Sequence, residues 1–238
     1  MKPVRPLHSW RVNTARAVEI QCALARRVRE TRPRRPLRFV AGLDAAFAPD
    51  GRRCVAGVVV WDCVEKRVVE VRTRVVVVRF PYVPGLLSFR EAPALLAVLR
   101  RLQLRPDALL CDAHGRAHPR RFGLACHVGV LTGLPSVGCA KSLLVGEHGG
   151  LGPRRGDRAP LYDPSLRPPE IIGSVLRTRD GVRPVYVSVG HRIDLAAAEA
   201  LVLDCGAGFR IPEPTRRADH LVSAARLRRG VIPRGRRA

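Results

Sequence analysis

The fold is decided by three consecutive strand-like stretches, of which the second and third are rich in valine: "LRFVAGLDAAF" (37–47), "CVAGVVVWD" (54–62) and "KRVVEVRTRVVVV" (66–78). Valine and other β-branched or aromatic residues favour strands. The first two stretches are joined by "APDGRR", in which Asp50-Gly51 is a typical hairpin signal. Residues 37–79 are therefore predicted to form a three-stranded antiparallel meander.

The rest of the chain alternates between helical and strand-like patterns. Helices are predicted within 13–30, 92–103, 121–133 and 195–205, and strands within 108–113, 135–141, 170–178 and 184–190, the last two as a hairpin. Strand–helix–strand order favours parallel pairing. The pattern predicts an α/β fold with a mixed sheet, the antiparallel meander plus parallel strands, flanked by helices.

Two segments do not show a helical or strand-like pattern. Residues 146–169 are rich in Gly, Pro and Arg and are predicted to form a surface loop. The basic end of the chain, 226–238, is predicted to be a disordered tail. Residues 1–225 are then expected to form a single domain, because no repeat and no clear linker divides them.

The charge is strongly positive: 43 Lys and Arg stand against 20 Asp and Glu, a formal net charge of +23. Nearly all of the cations are arginine, whose planar guanidinium binds phosphate oxygens in pairs. This balance indicates a nucleic-acid partner. A basic but inert surface is the alternative.

The compartment is predicted from the cysteines and the apolar runs. The seven cysteines form no CxxC pair and mostly lie in apolar stretches, as reduced core cysteines do. The N-terminus lacks the apolar region of a secretory signal, and no apolar run reaches the length of a membrane span. We expect a cytoplasmic, monomeric protein that does not enter a membrane.

Three acidic residues stand out in this basic chain. Asp44 lies in an apolar strand, Asp112 ends the apolar run "ALLCD", and Glu91 lies at the start of a predicted helix. Each has an ordinary interpretation: an edge strand or structural ion pair for the aspartates, and a favourable helix dipole for Glu91. Together they favour a divalent-metal site, because Mg²⁺ binds oxygen ligands and needs few carboxylates.

The stretch "DAHGRAHPRR" (112–121) also suggests other chemistry. His114 and His118 are four residues apart, as zinc ligands on a helix can be, but Gly115 and Pro119 argue against a helix there. A serine hydrolase is disfavoured because the chain has no GxSxG motif. The arginines of this stretch favour phosphate contacts instead; they are Arg116, Arg120 and Arg121.

Further candidates lie elsewhere in the chain. Tyr82 is bracketed by two prolines that stiffen its loop, so it is either a wedge for a base stack or a packed turn residue. Lys141, directly after a strand, either neutralises phosphate or extends into solvent. A fourth metal-site acid is expected from "IPEPTRRADHL", which contains Glu213, Asp219 and His220.

Six motifs occur in an order that resembles the endonuclease V family over residues 12–222: "VAGLDAAF", "PYVPGLLSFREAPALL", "DAHGRAHPRRFGLACHVG", "PSVGCAKSLL", "VGHRIDLAAAEALV" and "PEPTRRAD". The resemblance implies a ribonuclease-H-like fold. It implies Mg²⁺-dependent hydrolysis, with Mn²⁺ as a substitute, of the second phosphodiester 3′ to a deaminated adenine (hypoxanthine) in DNA. The products would carry a 3′-hydroxyl and a 5′-phosphate.

The resemblance also implies roles for individual residues. Asp44, Glu91 and Asp112 match the metal-site acids and Lys141 the active-site lysine. Tyr82 matches the wedge that replaces a flipped base. The neighbourhood of the base pocket is matched by Gly85, Leu87, His118 and Gly123, with Arg120 as a further nucleic-acid contact. Asp219 best fits the fourth active-site position, and the adjacent His220 is the alternative.

One residue departs from the family pattern. Relatives often have glycine directly after the second aspartate, as "DGHG", whereas this chain has Ala113. A methyl group at this position could tighten the base pocket and change the lesion preference. The alternatives to deoxyinosine DNA are inosine-containing RNA, another nuclease of the same fold, and a non-catalytic nucleic-acid-binding module.

Overall fold

The computed structural model describes residues 7–228, which form one nine-stranded sheet with five helices. The helices are α1 (Thr14–Ala25), α2 (Leu87–Leu99), α3 (Leu124–Thr132), α4 (Leu195–Asp204) and α5 (Glu213–Arg228). The strands are β1 (Phe39–Phe47), β2 (Arg53–Asp62), β3 (Arg67–Val77), β4 (Ala108–Cys111), β5 (Ser136–Ala140), β6 (Glu147–His148), β7 (Arg158–Asp163), β8 (Glu170–Leu176) and β9 (Val185–His191). Their order across the sheet is β3-β2-β1-β4-β5-β9-β8-β7-β6.

The predicted meander is confirmed. Strands β1 and β2 pair antiparallel from Phe39–Asp62 to Phe47–Cys54, and β3 continues the meander on β2. Gly51 adopts a φ of 66° in the connecting turn, which a residue without a Cβ adopts at little cost. Strand β1 lies between β2 and β4, so Asp44 is not on an edge strand.

The predicted parallel strands form the centre of the sheet. Strand β4 pairs parallel with β1, with Leu43 opposite Cys111, and β5 pairs parallel with β4. The residues that follow this pair are Asp44 and Asp112, so the two aspartates occupy neighbouring positions at the same edge of the sheet. The predicted hairpin of β8 and β9 is also confirmed.

The core fills both faces of the sheet. Helices α2 and α3 contribute to one cluster of buried side chains, with Leu43, Val58, Leu95 and Val128 among its members. Helix α4 contributes to a second cluster on the other face, which includes Leu110. Because side chains alternate along a strand, Asp44 and Asp112 project on the same face as Leu110.

Helix α5 was not predicted from the sequence. It lies against β1 and β2, where glycines allow the close approach. A Cβ on Gly42 would lie 2.1 Å from the carbonyl carbon of Pro214, and one on Gly57 would lie 2.5 Å from a Val222 methyl. This packing carries Asp219 towards the edge of the sheet that holds Asp44.

The prediction of a surface loop over 146–169 is wrong in part, because β6 and β7 lie within it and extend the sheet. The alternation that identifies β7 is short: Ala159 and Leu161 are buried, Arg158 and Pro160 are exposed, and the pattern ends at the half-buried Tyr162. Helix α5 continues to Arg228, so the predicted tail begins inside this helix. Residues 229–238 of that tail lie outside the described residues.

The remaining general expectations concern cysteines and membranes. All seven cysteines lie within the described range and are free, and five of them are buried. Over residues 7–228, the helices include none that is both long enough and apolar enough to span a membrane.

Candidate active site

The site begins with carboxylates at the edge of the sheet where β1 and β4 point. Asp44 belongs to β1, and Asp112 directly follows β4. Burial and the neighbouring Asp112 charge raise the pKa of Asp44 to about 7. A raised carboxyl pKa means that a nearby positive charge would be strongly favoured.

Glu91 comes from the other side of the sheet edge. Helix α2 begins at Leu87, so Glu91 lies one turn inside it and is not the first-turn acid expected from the sequence. Burial, followed by the charges of Asp44 and Asp112, raises the pKa of Glu91 to about 8. The mutual influence of these three acids indicates that they face a common space.

Lys141 joins this group from the end of β5. Its Nζ lies 2.5 Å from Oδ2 of Asp112 and 3.1 Å from Oδ2 of Asp219. Partial burial lowers the pKa of the lysine, but the two carboxylates outweigh this and raise it to about 12. Lys141 therefore stays charged and ties α5 to the centre of the sheet.

Only one of the three C-terminal candidates reaches this group. Asp219 does so through Lys141, whereas His220 is exposed. Glu213 is buried and forms ion pairs with Arg216 and Arg217 of its own helix. The geometry therefore favours Asp219 over both alternatives.

The donor chemistry of this cluster fits a hard divalent cation. Among residues 7–228, no three His, Cys, Asp or Glu side chains are arranged to hold a single ion as they stand. This disfavours the zinc alternative, which needs three or four converging protein ligands. It is compatible with Mg²⁺, which usually takes one or two carboxylates and completes its shell with water and substrate oxygens.

A cavity of about 440 Å³ adjoins the acidic cluster. It is bordered by Asp112 and Lys141 on one side and by the Tyr82 loop on the other. All of the predicted base-pocket residues line it, namely Gly85, Leu87, His118 and Gly123. Tyr82 is 70% exposed at its rim, so the alternative of a packed turn tyrosine is wrong.

The Tyr82 loop is fixed through one carbonyl oxygen. Gly85 O accepts hydrogen bonds from Gln21 Nε2 at 3.0 Å, His118 Nε2 at 3.0 Å and Arg120 Nη2 at 2.7 Å. Gly85 has a φ of 76°, and a Cβ there would lie 2.8 Å from the Arg120 guanidinium. We call these four residues the Gly85 clamp.

His118 acts within the clamp as a neutral ring. Its Nδ1 accepts a hydrogen bond from the backbone N–H of Arg120 at 3.1 Å, so its Nε2 carries the proton donated to Gly85 O. Burial lowers the pKa of His118 to about 4, which agrees with this tautomer. Both ring nitrogens are thus used to position the loop.

The arginines predicted to contact phosphate have intramolecular partners. Arg120 donates to Gln21 Oε1 at 2.6 Å in addition to Gly85 O. Arg116 pairs with Glu30 and Glu170, and Arg121 pairs with Asp163 and Glu170. In the free protein these side chains hold the loop against α1 and against β7 and β8, which the sequence did not predict.

Two further residues of the site were missed. Gln21 is fully buried, and its position between Ile20 and Leu24 on the apolar face of α1 was the available signal. His114 lines the cavity with its Nδ1 buried and without a partner among the described residues. Ala113 also borders the cavity and is 7% exposed, so its methyl group limits the space there.

Comparison with known proteins agrees with this geometry. The family model described as Endonuclease V matches residues 22–220. An endonuclease V from Roseiflexus castenholzii is 48% identical over 229 residues, which is 96% of this chain and 100% of that protein. The chain belongs to the endonuclease V family. It is therefore a nuclease.

Solved structures of the family share the fold. The endonuclease V of Streptomyces avermitilis superposes with a TM-score of 0.88 at 43% identity, covering 97% of this chain and 100% of that one. The endonuclease V of Ciona intestinalis, in complex with a 24mer DNA containing an inosine followed by a ribo-adenosine, superposes with a TM-score of 0.78 at 25% identity. That match covers 90% of this chain and 98% of the other. The expected family and fold class are confirmed.

Proposed function

We propose that this endonuclease V is a Mg²⁺-dependent enzyme that cleaves DNA at the second phosphodiester 3′ to hypoxanthine, leaving a 3′-hydroxyl and a 5′-phosphate. The observation that carries the proposal is the position of the Asp112–Lys141 ion pair, which borders the same cavity as Tyr82 and Gly85. A group that holds a base and a group that acts on phosphate are therefore adjacent.

The acidic cluster provides the cation ligands. Asp44 and Asp112, aided by Glu91 and Asp219, would hold the metal ions. When bound, such ions activate water for in-line attack and stabilise the leaving 3′-oxygen. In the free protein, burial and the charges of the neighbouring acids raise the pKa of both Asp44 and Glu91.

The phosphate and the displaced base are bound by other side chains of the protein. Lys141 keeps its positive charge beside Asp112, where it offsets the negative charge of the phosphate that approaches the acids. The exposed ring of Tyr82 fills the gap in the base stack when a nucleotide leaves it. The cavity bordered by Ala113 and Gly123 receives the displaced base.

A nicking assay tests the proposal. Duplexes with a single inosine, a single uracil or no modified base are incubated with the enzyme, with and without Mg²⁺ or Mn²⁺. We expect metal-dependent cleavage of the inosine strand at the second phosphodiester, and loss of at least about 100-fold in rate for Asp112→Ala. Equal cleavage of all three duplexes would favour a structure-specific nuclease of the same fold.

A second substrate, inosine-containing RNA, has support from one observation. The Ciona intestinalis enzyme was captured on DNA in which a ribo-adenosine follows the inosine. The same assay on matched DNA, RNA and single-ribonucleotide strands distinguishes the two substrates. Faster cleavage of RNA by this chain would assign it mainly to inosine-containing RNA.

A further inference from the structure

A second cavity, of about 690 Å³, opens at the opposite edge of the sheet from the acidic cluster. Its walls include Leu37, Asp107 and Pro135, which precede β1, β4 and β5, whereas Asp112 and Lys141 follow β4 and β5. Asp107 and Asp112 are separated by the length of β4, about 16 Å at the usual strand rise. This cavity is therefore separate from the acidic cluster.

Arginine dominates the lining of this cavity, which we call the arginine cavity. Six guanidinium side chains border it: Arg29, Arg32, Arg34, Arg35, Arg105 and Arg192. Across residues 7–228, none of the six is among the ion pairs that the protein forms, which engage other arginines instead. Six positive charges thus border one concave space that contains a single carboxylate, that of Asp107.

The single acid of the cavity is already occupied. Oδ2 of Asp107 accepts hydrogen bonds from the backbone N–H groups of Arg38 at 3.1 Å and Phe39 at 2.8 Å. Glu30, the nearest acid in the Arg-rich segment, bonds to Arg116. Asp107 is thus bound to neutral backbone groups and Glu30 to Arg116, so the charge of the cavity lining stays positive, with six arginines against one carboxylate.

The walls are held in place by bonds between distant segments. Arg192 N donates to Arg29 O at 2.6 Å, and the Arg192 guanidinium donates to Gly133 O at 2.9 Å. Pro33 and Pro36 restrict the segment that carries the arginines between them. Burial lowers the pKa of the adjoining His191 to about 4, and the charges of Arg192 and Arg29 act in the same direction.

We propose that the arginine cavity is a second, non-catalytic binding site for the phosphate backbone of a nucleic-acid segment other than the one being cleaved. Guanidinium groups bind phosphate oxygens in pairs, and a nucleic-acid backbone presents successive phosphates to a row of such groups. The lining contains arginine, proline, leucine, threonine, glycine and one aspartate, and no aromatic ring on which a base could stack. Binding therefore proceeds through phosphates and is independent of sequence.

The test uses two matched triple variants. The cavity variant carries Arg32→Ser, Arg35→Ser and Arg105→Ser. The control variant carries Arg67→Ser, Arg74→Ser and Arg100→Ser, which are also exposed but do not line the cavity. Both lower the net charge by three, so general electrostatic attraction changes equally. Circular dichroism and Tm confirm that each variant is folded.

The active site is first saturated with an unlabelled inosine duplex in EDTA, so that no cleavage occurs. Binding of a labelled, inosine-free single-stranded 10-mer is then followed by anisotropy over a range of salt. We expect the control variant and the unmodified protein to bind it. We expect the cavity variant to bind at least about 10-fold more weakly, with a salt slope smaller by about 2, as the loss of three phosphate contacts predicts.

Three results would overturn the proposal. If the two variants lost affinity for the 10-mer equally, the loss would be explained by net charge alone. Complete exclusion of the 10-mer by the saturating duplex would leave a single site. Displacement of the 10-mer by inorganic phosphate at the same phosphate concentration would assign the cavity to a small anion. Nicking of a short inosine duplex by the cavity variant should stay within about 2-fold of the unmodified rate.

Discussion

The ammonium of Lys141 lies 2.5 Å from the carboxylate of Asp112, and this contact distinguishes Asp112 from the neighbouring acids Asp44 and Glu91. Burial raises the pKa of Asp112, but the bond to Lys141 lowers it again. Asp44 and Glu91 form no ion pair among the described residues, and their pKa values rise to about 7 and about 8. The bond to Lys141 therefore offsets part of the rise for Asp112, whereas Asp44 and Glu91 each hold a proton for a substantial fraction of the time near neutral pH.

Cation binding should therefore release protons. At about pH 7, Asp44 and Glu91 are protonated for a substantial fraction of the time, and a divalent ion binds the ionised form. Apparent Mg²⁺ or Mn²⁺ affinity should rise as the pH is raised from about 6 to about 8. Calorimetry in buffers of different ionisation enthalpy measures the protons released. Affinity that does not change with pH would contradict these raised pKa values.

The fourth acid can be tested by a pair of neighbouring variants. Asp219→Asn removes a carboxylate that bonds to Lys141 at 3.1 Å, and we expect nicking to fall by at least about 100-fold. His220→Gln changes an exposed side chain next to it and should leave the rate within about 2-fold. The reverse pattern in a nicking assay would assign the position to His220.

Tyr82→Ala should weaken binding of an inosine duplex. The ring is exposed, so its loss should not affect folding, and loss of a stacking contact of about 1–3 kcal/mol corresponds to about 5-fold to 150-fold in affinity. Phe209→Ala, which removes another exposed aromatic ring outside the cavity, is the control. Anisotropy in EDTA measures binding alone, and equal affinities for the two variants would remove the wedge role.

The Gly85 clamp makes a separate prediction about stability. Gln21→Leu removes the Nε2 donor to Gly85 O and Phe122 O and leaves Arg120 Nε without its acceptor. We expect a loss of about 1–3 kcal/mol in the free energy of unfolding, because buried polar groups lose their partners. Denaturant unfolding measures this loss. Glu19→Gln, on the exposed side of the same helix, should have little effect.

Ala113→Gly tests whether the methyl group at the cavity wall restricts the base. Removing the methyl group enlarges the pocket, which should favour xanthine because it is larger than hypoxanthine by one oxygen atom. The ratio of kcat/KM for xanthine over hypoxanthine should rise by about 10-fold, the discrimination between two substrates that one methyl group can provide. A ratio is used because it is insensitive to any general loss of stability. An unchanged ratio would show that Ala113 does not contact the displaced base.

The central strands could be predicted because their information is local. Strand β1, the Asp50-Gly51 turn and the apolar run before Asp112 each carry their signal within a few residues. Parallel pairing then places Asp44 beside Asp112. The position of a residue that depends only on one strand and its neighbour can therefore be predicted from the sequence.

The missed elements depend on contacts between distant parts of the chain. Helix α5 begins in "EPTRRAD", which has little apolar periodicity, and it is held by the glycines of β1 and β2. Strand β7 lies among Gly, Pro and Arg residues that are typical of a loop. Only Ala159 and Leu161 give it an apolar pattern typical of a strand. Arg120 and Gln21, which form a hydrogen bond with each other, are likewise separated by 99 residues in the sequence.

The bonds at Gly85 also have a kinetic consequence. Three donors from two distant segments converge on one oxygen, so the loop that presents Tyr82 is already ordered before any substrate arrives. Encounter with a lesion then requires no loss of loop entropy, which for a flexible segment amounts to about 1–2 kcal/mol per residue. A protein that must inspect many intact nucleotides for each damaged one can thus make each inspection brief, because its probe is rigid at the moment of contact.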